Sequence, residues 1–392
     1  MSFIDNPLGW GRFFFVDLRY FNIYLLFIFA FIVGQFAVIL YGLGESRNGL
    51  VGDREGLDNR TQQALLFVYS YAIFCALAVA FKSGGFALLA SDRILFRANS
   101  IGSLGGFIAY PATLITPLAA LALYQFSRSK QPRWLILYLT SLTFQILNMN
   151  RQEILILLIA PFFFLFFFRP ISFSRLIGII LGGAVAFYTL GLLAVVRVGD
   201  ATAISKLIPV IELPFWLVLS DLAYAVQLAH SVIDQIGAAA LHGTYVFGVF
   251  INVIFPNYES HGASAIQAMF TEAETAQSIG APFSYFVDGG IIEVAALGFT
   301  QGFVIHFFYR KAQGGSLFFR LIYILNFLYL LWTIRSGTIS VNPMFLYQLG
   351  ALTFILSSTL RINLLYPPIV RVIASVFLLT IPVSLLALAM RV

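Results

Sequence analysis

Apolar residues run along this chain in long blocks separated by short polar breaks, and no repeat of fixed period is visible. A helix needs about 20 apolar residues to cross the hydrocarbon layer of a bilayer. By that measure the pattern predicts crossings at Phe21–Leu43, Ala64–Phe81, Ile101–Phe126, Trp134–Leu147, a short Ile154–Phe168, and Leu176–Val196. After a long interval come Tyr285–Phe308, Leu317–Ile334, Pro343–Ser358 and Val370–Met390. The expected fold is all-α, a polytopic transmembrane bundle of ten or eleven helices forming one membrane domain over residues 1–392. The interval 197–282 is its one large loop, and it is not structureless. Leu207–Ala229 reads as a helix on or dipping into the outer face, broken by Pro209 and Pro214, and Tyr245–Phe255 is a second apolar stretch. Met1–Tyr20 carries Asp5, Arg12, Asp17 and Arg19 and lacks the short apolar core and small-residue site of a removable signal peptide.

Composition sharpens this picture. Apolar residues make up 60% of the chain and charged residues only 10%, against about 25% charged in a soluble domain. The net charge of +6 is not a nucleic-acid signal, because the basic residues cluster in short loops between apolar blocks, as they do on the cytoplasmic side of membrane proteins. Ser127–Arg133, Arg169–Arg175 and Arg310–Lys311 with Arg320 are such loops, basic and free of acids. They are mutually consistent, and they leave Asn148–Glu153, Arg197–Pro282 and Arg335–Asn342 outside. The amino-terminal third fits less simply. With a cytoplasmic amino terminus, three crossings would leave Ser127 outside. Either one more crossing lies in Gly84–Ala90, or Ile101–Phe126 is a hairpin bent at Pro111, or the amino terminus is outside. Cys75, the single cysteine, sits in an apolar run and reads as a buried small residue.

Three arginines stand at expected outer helix ends: Arg151, Arg197 and Arg335. Each either snorkels to headgroups, pairs with a carboxylate, or binds an anion. Arg335 has no local acid, since no Asp or Glu follows Glu293. The planar guanidinium donates parallel hydrogen bonds and suits phosphate. Asp288 and Glu293 enter a membrane helix from the outside, where acids are costly and either paired or functional. On a regular helix, residues five apart lie about 140° apart, so these two are expected on different faces. His242 and His261 lie in the outer loop near Glu259, Glu272 and Glu274, without the spacing of a zinc site. No phosphate-binding loop, nucleophile elbow or dinucleotide fingerprint appears, so no cofactor is expected.

Four pieces together resemble the bacterial O-antigen polymerases of the Wzy type and the related O-antigen ligases. They are Asn148-Met-Asn-Arg151-Gln-Glu153, Arg197 opening a long loop, His242 through Pro256, and Ala281-Pro-Phe-Ser-Tyr285 leading through Glu293 to Gly298. The resemblance implies a fold similar to metal-independent glycosyltransferases of the C class. It also implies polymerisation of undecaprenyl-diphosphate-linked oligosaccharide units at the periplasmic face of the inner membrane. The partners implied are that lipid-linked oligosaccharide, the bilayer and a chain-length regulator protein, with no nucleic acid. Arg151, Arg197 and Arg335 would bind the diphosphate. Glu293 and His261, ahead of Asp288, would take the acceptor's proton. A ligase moving polymer onto lipid A core is the close alternative. A transporter or flippase for a lipid-linked or anionic solute is the alternative of another class, although the polar residues gather on one side and no repeat is seen.

Overall fold

The structure is a computed structural model. It describes residues 4–5, 12–13, 18–43, 57–90, 106–168, 172–198, 211–254, 279–314, 317–337, 339, 342–356, 372–373 and 375–383. Twelve α-helices, besides a helical segment at 375–383, lie among them. They are α1 (Leu18–Leu40), α2 (Asn59–Lys82), α3 (Gly106–Thr113), α4 (Ile115–Ser129), α5 (Pro132–Leu147) and α6 (Arg151–Phe168), followed by α7 (Phe173–Val198), α8 (Leu213–Ile236), α9 (Thr244–Ile254), α10 (Phe283–Gln313), α11 (Leu317–Ser336) and α12 (Pro343–Leu356). Of the expected crossing Val370–Met390, residues 375–383 are helical. The only strand pairing among the described residues is a two-residue one, Ile4–Asp5 against Arg12–Phe13. Among the described residues, four segments are long and apolar enough to cross a membrane: Tyr20–Leu40, Asn59–Leu89, Phe283–Gln313 and Leu317–Ile334. Large apolar side chains point outward, among them Phe29, Phe36, Ile136, Ile180 and Ile292. An exposed surface of this kind belongs in lipid.

The chain divides into two compact units. The first comprises Met1–Gly44, Phe173–Phe308 and Asn326–Asn342. Here α1 and α10 run side by side in the same direction. Tyr24 meets Phe283 edge-on with ring centroids 4.7 Å apart, and Phe27 meets Tyr285 at 6.1 Å. Further along, a Cβ added at Gly302 would lie 2.0 Å from the Phe31 carbonyl oxygen, and one at Gly34 would lie 2.1 Å from that of Phe299. Glycine is what lets the two backbones touch, and Gly298 and Gly302 form a small-xxx-small pair of the kind membrane helices use. The helix α8 begins later and ends later than the apolar stretch Leu207–Ala229. Pro214 does not break it but stands in its first turn, where a missing N–H leaves no helical bond unmade. A Cβ at Gly191 of α7 would lie 2.1 Å from the Pro214 oxygen, so these helices too are in backbone contact.

The second unit comprises Glu45–Ser172, Tyr309–Leu325 and Pro343–Val392. Its core includes Leu65, Leu114, Leu118, Leu121, Trp134 and Leu157, all fully buried, and Cys75 is buried as expected. Asp58 caps α2 by accepting the Thr61 N–H at 2.8 Å. The beginning of α2 is tied to the α4–α5 corner: the Leu57 N–H donates to Gln125 Oε1 at 2.7 Å, and Arg133 donates to Gln62 Oε1 at 2.8 Å. The segment Ile101–Phe126 is not a hairpin over its described part. Leu114, between α3 and α4, keeps right-handed helical angles of φ −65 and ψ −19, so the direction carries through. The interruption there has a chemical cause. Pro117 has no N–H for the Thr113 carbonyl, and Gln348 Nε2 of α12 donates to that carbonyl instead at 3.3 Å. Gly84–Ala90 is a turn with a short 3-10 segment, not a crossing.

Candidate functional site

The acids Asp288 and Glu293 lie in α10 of the first unit, at a break. Gly290 has φ 72 and ψ −157, outside the helical region. Such a break strips helical N–H partners from the carbonyls just before it. The segment before α9 replaces them: the Ala239, Leu241 and Gly243 N–H groups donate to the carbonyls of Phe286, Val287 and Asp288 at 3.0, 3.2 and 3.3 Å. That segment turns sharply, with left-handed φ at Gly237, Ala239, His242 and Gly243. His242 is exposed there.

Asp288 is fully buried and faces the start of α9. Its two carboxylate oxygens accept the Tyr245 and Val246 N–H groups at 3.0 and 2.8 Å. It therefore caps a helix that begins more than forty residues earlier, and negative charge at a helix N-terminus is the favourable sign. Glu293 folds back over the break. A Cβ at Gly289 would lie 2.0 Å from Glu293 Oε2, so only glycine leaves room for that carboxyl group. Glu293 lies against Asp288, within reach of a side-chain hydrogen bond. Its Oε1 is buried and has no partner. The expectation that these acids occupy different faces is thus corrected. It assumed an unbroken helix, and the Gly289–Gly290 break brings the two together.

The end of α11 is stitched to the beginning of α10. The Ala281 N–H donates to the Thr333 carbonyl at 3.2 Å, and Ser284 Oγ donates to the Gly337 carbonyl at 3.0 Å. Gly337 has φ 73, and a Cβ there would lie 2.1 Å from the Ile279 oxygen. Arg335 stands between Thr333 and Gly337, so its backbone is held at this junction. Arg197 is in the last turn of α7 in the same unit. The side chains of both arginines lie outside the described residues, as does the whole of His261. Arg151 is half-buried and opens α6 in the second unit. Among the described residues, no group of three or more His, Cys, Asp or Glu gathers as a metal site would require.

Sequence reasoning missed other polar groups. Tyr285 and Gln301, both buried, are joined by a 2.6 Å bond from Gln301 Nε2 to the Tyr285 hydroxyl. Tyr20 donates to Asp234 and stacks on His230 at 4.3 Å between ring centroids. Glu153 is buried in the second unit with an unpartnered Oε2. The glycine pair after Asp288 was the available signal for the break, and Gly298-x-x-x-Gly302 was the signal for the α1 contact. Comparison of the chain with protein-family models, with curated proteins and with solved structures gives no match.

Proposed function

We propose that this chain is a membrane glycosyltransferase that polymerises undecaprenyl-diphosphate-linked oligosaccharide units at the periplasmic face of the bacterial inner membrane. The observation that carries this reading is the buried, unpartnered carboxyl oxygen of Glu293, at a helix break whose entrance is tied to the helix end bearing Arg335. In this reaction the acceptor sugar hydroxyl attacks the anomeric carbon of the donor. The bond from that carbon to the diphosphate breaks, and the diphosphate leaves with the electron pair. Glu293, in its deprotonated form, takes the acceptor's proton as a general base. Arg335 and Arg197, both in the same unit as Glu293, supply the positive charge that the leaving diphosphate needs, a transition-state effect of the electrostatic kind. Asp288 is a positioning residue, since both its oxygens are already engaged by α9.

Membrane orientation supports the reading. With the basic Arg310–Lys311 end of α10 cytoplasmic, the Phe283 end lies outside, and so does the Tyr20 end of the parallel α1. Within the second unit, the beginning of α2 is bonded to the corner that carries the basic Ser127–Arg133 loop, so these two ends share one side.

The test is a deletion strain complemented with Glu293→Gln. Loss of a general base reduces rate by about 100-fold or more, so the long-polymer ladder on a gel is expected to vanish while the protein stays in the membrane at its normal amount. Accumulation of single repeat units on the lipid diphosphate identifies a polymerase rather than a ligase. A full ladder from the variant overturns the proposal.

A further inference from the structure

The second unit holds an acid that the proposed reaction does not use. Glu153, 8% exposed, lies in the first turn of α6, just before the apolar run Ile154–Phe168. A chain of hydrogen bonds leads toward it. Asn150 Nδ2 donates to Gln145 Oε1 at 2.8 Å, Gln145 Nε2 donates to Thr116 Oγ1 at 3.2 Å, and the Thr116 hydroxyl lies within reach of the Glu153 carboxyl. Thr116 and Gln145 are themselves buried. The donors all run one way, from the Asn148–Glu153 corner toward the acid, and Glu153 Oε2 is left at the end with no partner.

Among the described residues, α4 and α5 present no counter-ion to it. The helix α4 presents Thr116, and its nearest charge, Arg128, is twelve positions on, about 18 Å along the helix. The helix α5 presents Gln145, and its only charge, Arg133, stands twelve positions earlier, at the opposite end. The titratable Tyr138 of α5 is engaged with the Leu157 carbonyl at 3.0 Å, and Tyr124 is two turns beyond Thr116 on α4. On α6 itself the charged neighbour is Arg151, and residues two apart on a helix do not face each other.

A bare carboxylate in such a place is strongly disfavoured, while a neutral acid needs one proton and no counter-charge. We propose that Glu153 is a proton-binding site whose ligand is carried on Oε2, at the end of the network that ties α4, α5 and α6 together. Burial supports this by pushing the carboxyl up to about 7, against the lowering pull of the Thr116 hydroxyl. The site does not depend on the glycosyl-transfer reading.

The test uses the full chain in phosphatidylcholine vesicles and dicyclohexylcarbodiimide, an apolar reagent that attacks protonated carboxyl groups, with modified peptides read by mass spectrometry. Glu153 is expected to be modified at neutral pH, with labelling falling about tenfold per pH unit above its midpoint. Asp288, equally buried but fully hydrogen-bonded, is expected to stay unlabelled. Thermal unfolding against pH is the second arm. The wild type is expected to lose stability as pH rises from the ordinary carboxyl value toward 7, and Glu153→Gln, which imitates the protonated form, is expected to lose less over that window. Absence of labelling in acid and alkali alike, with the two stability profiles superimposed, overturns the proposal.

Discussion

Asp288 and Glu153 are both buried acids at helix ends, one in each unit, and they are bound in opposite ways. Both oxygens of Asp288 accept backbone N–H groups. Glu153 has one hydroxyl within reach and an oxygen with no partner. The difference teaches that burial alone does not tell a structural acid from a working one. What matters is whether each lone pair has a donor. An acid that saturates a helix N-terminus is part of the scaffold, whereas one left open has capacity for a proton or a reacting group. Glu293 falls on the same side of this divide as Glu153, although it lies next to Asp288.

The comparison breaks or holds most sharply with leucine at each acid. Asp288→Leu strands two buried N–H donors that now bind a charged acceptor, so it is expected to destabilise the chain by about 3 kcal/mol. Glu153→Leu removes an incompletely paired acid and is expected to be neutral or to stabilise by ~1 kcal/mol. Thermal unfolding in one detergent measures both, and equal losses would erase the distinction. A smaller effect, about 2 kcal/mol, is expected from Gly302→Val, because overpacking must push α10 off the α1 backbone. Gly178→Val, with open space around its Cβ position, is the matched control. If the two valines cost the same, the close approach of α1 and α10 is not a stabilising contact.

The smallest effect separates the acids by pH. The Thr61 hydroxyl and N–H hold the exposed Asp58 below the usual carboxylate range. Its contribution is therefore present at neutral pH and fades as pH falls through 3.8 and below. Glu153 has the opposite sign: its folded form keeps the proton longer than the unfolded chain does, so stability falls as pH rises between about 4.5 and 7. Asp58→Ala is expected to flatten only the acid limb of a stability–pH profile, at a cost of up to about 1 kcal/mol at neutral pH. A change on the neutral limb would contradict that assignment.

The helices were largely legible because lipid imposes length and polarity on every crossing. The block Trp134–Leu147 and the helix Pro132–Leu147 differ by two residues. The acids at 288 and 293 were legible as exceptions to an apolar pattern. Their pairing was not, because it depends on a glycine backbone angle and on N–H groups from residues 239–246, which meet α10 only in the folded chain. The same is true of Glu153: the corner sequence contains it, but Thr116 and Gln145 come from other helices. Charge counting left three answers for the amino-terminal side. Ring contacts of Tyr24 and Phe27 with α10 narrow them, and those contacts join segments far apart in the chain.

The glycine-mediated touch between α1 and α10 has a bearing on how the protein is made. Its two halves leave the ribosome far apart in time, on the order of tens of seconds at ~5–20 residues per second. Through that interval the notch at Gly34 faces acyl chains or an insertion factor instead of its permanent neighbour. Biogenesis must therefore keep the earliest helix waiting, and a premature companion for that notch is the natural route to misassembly.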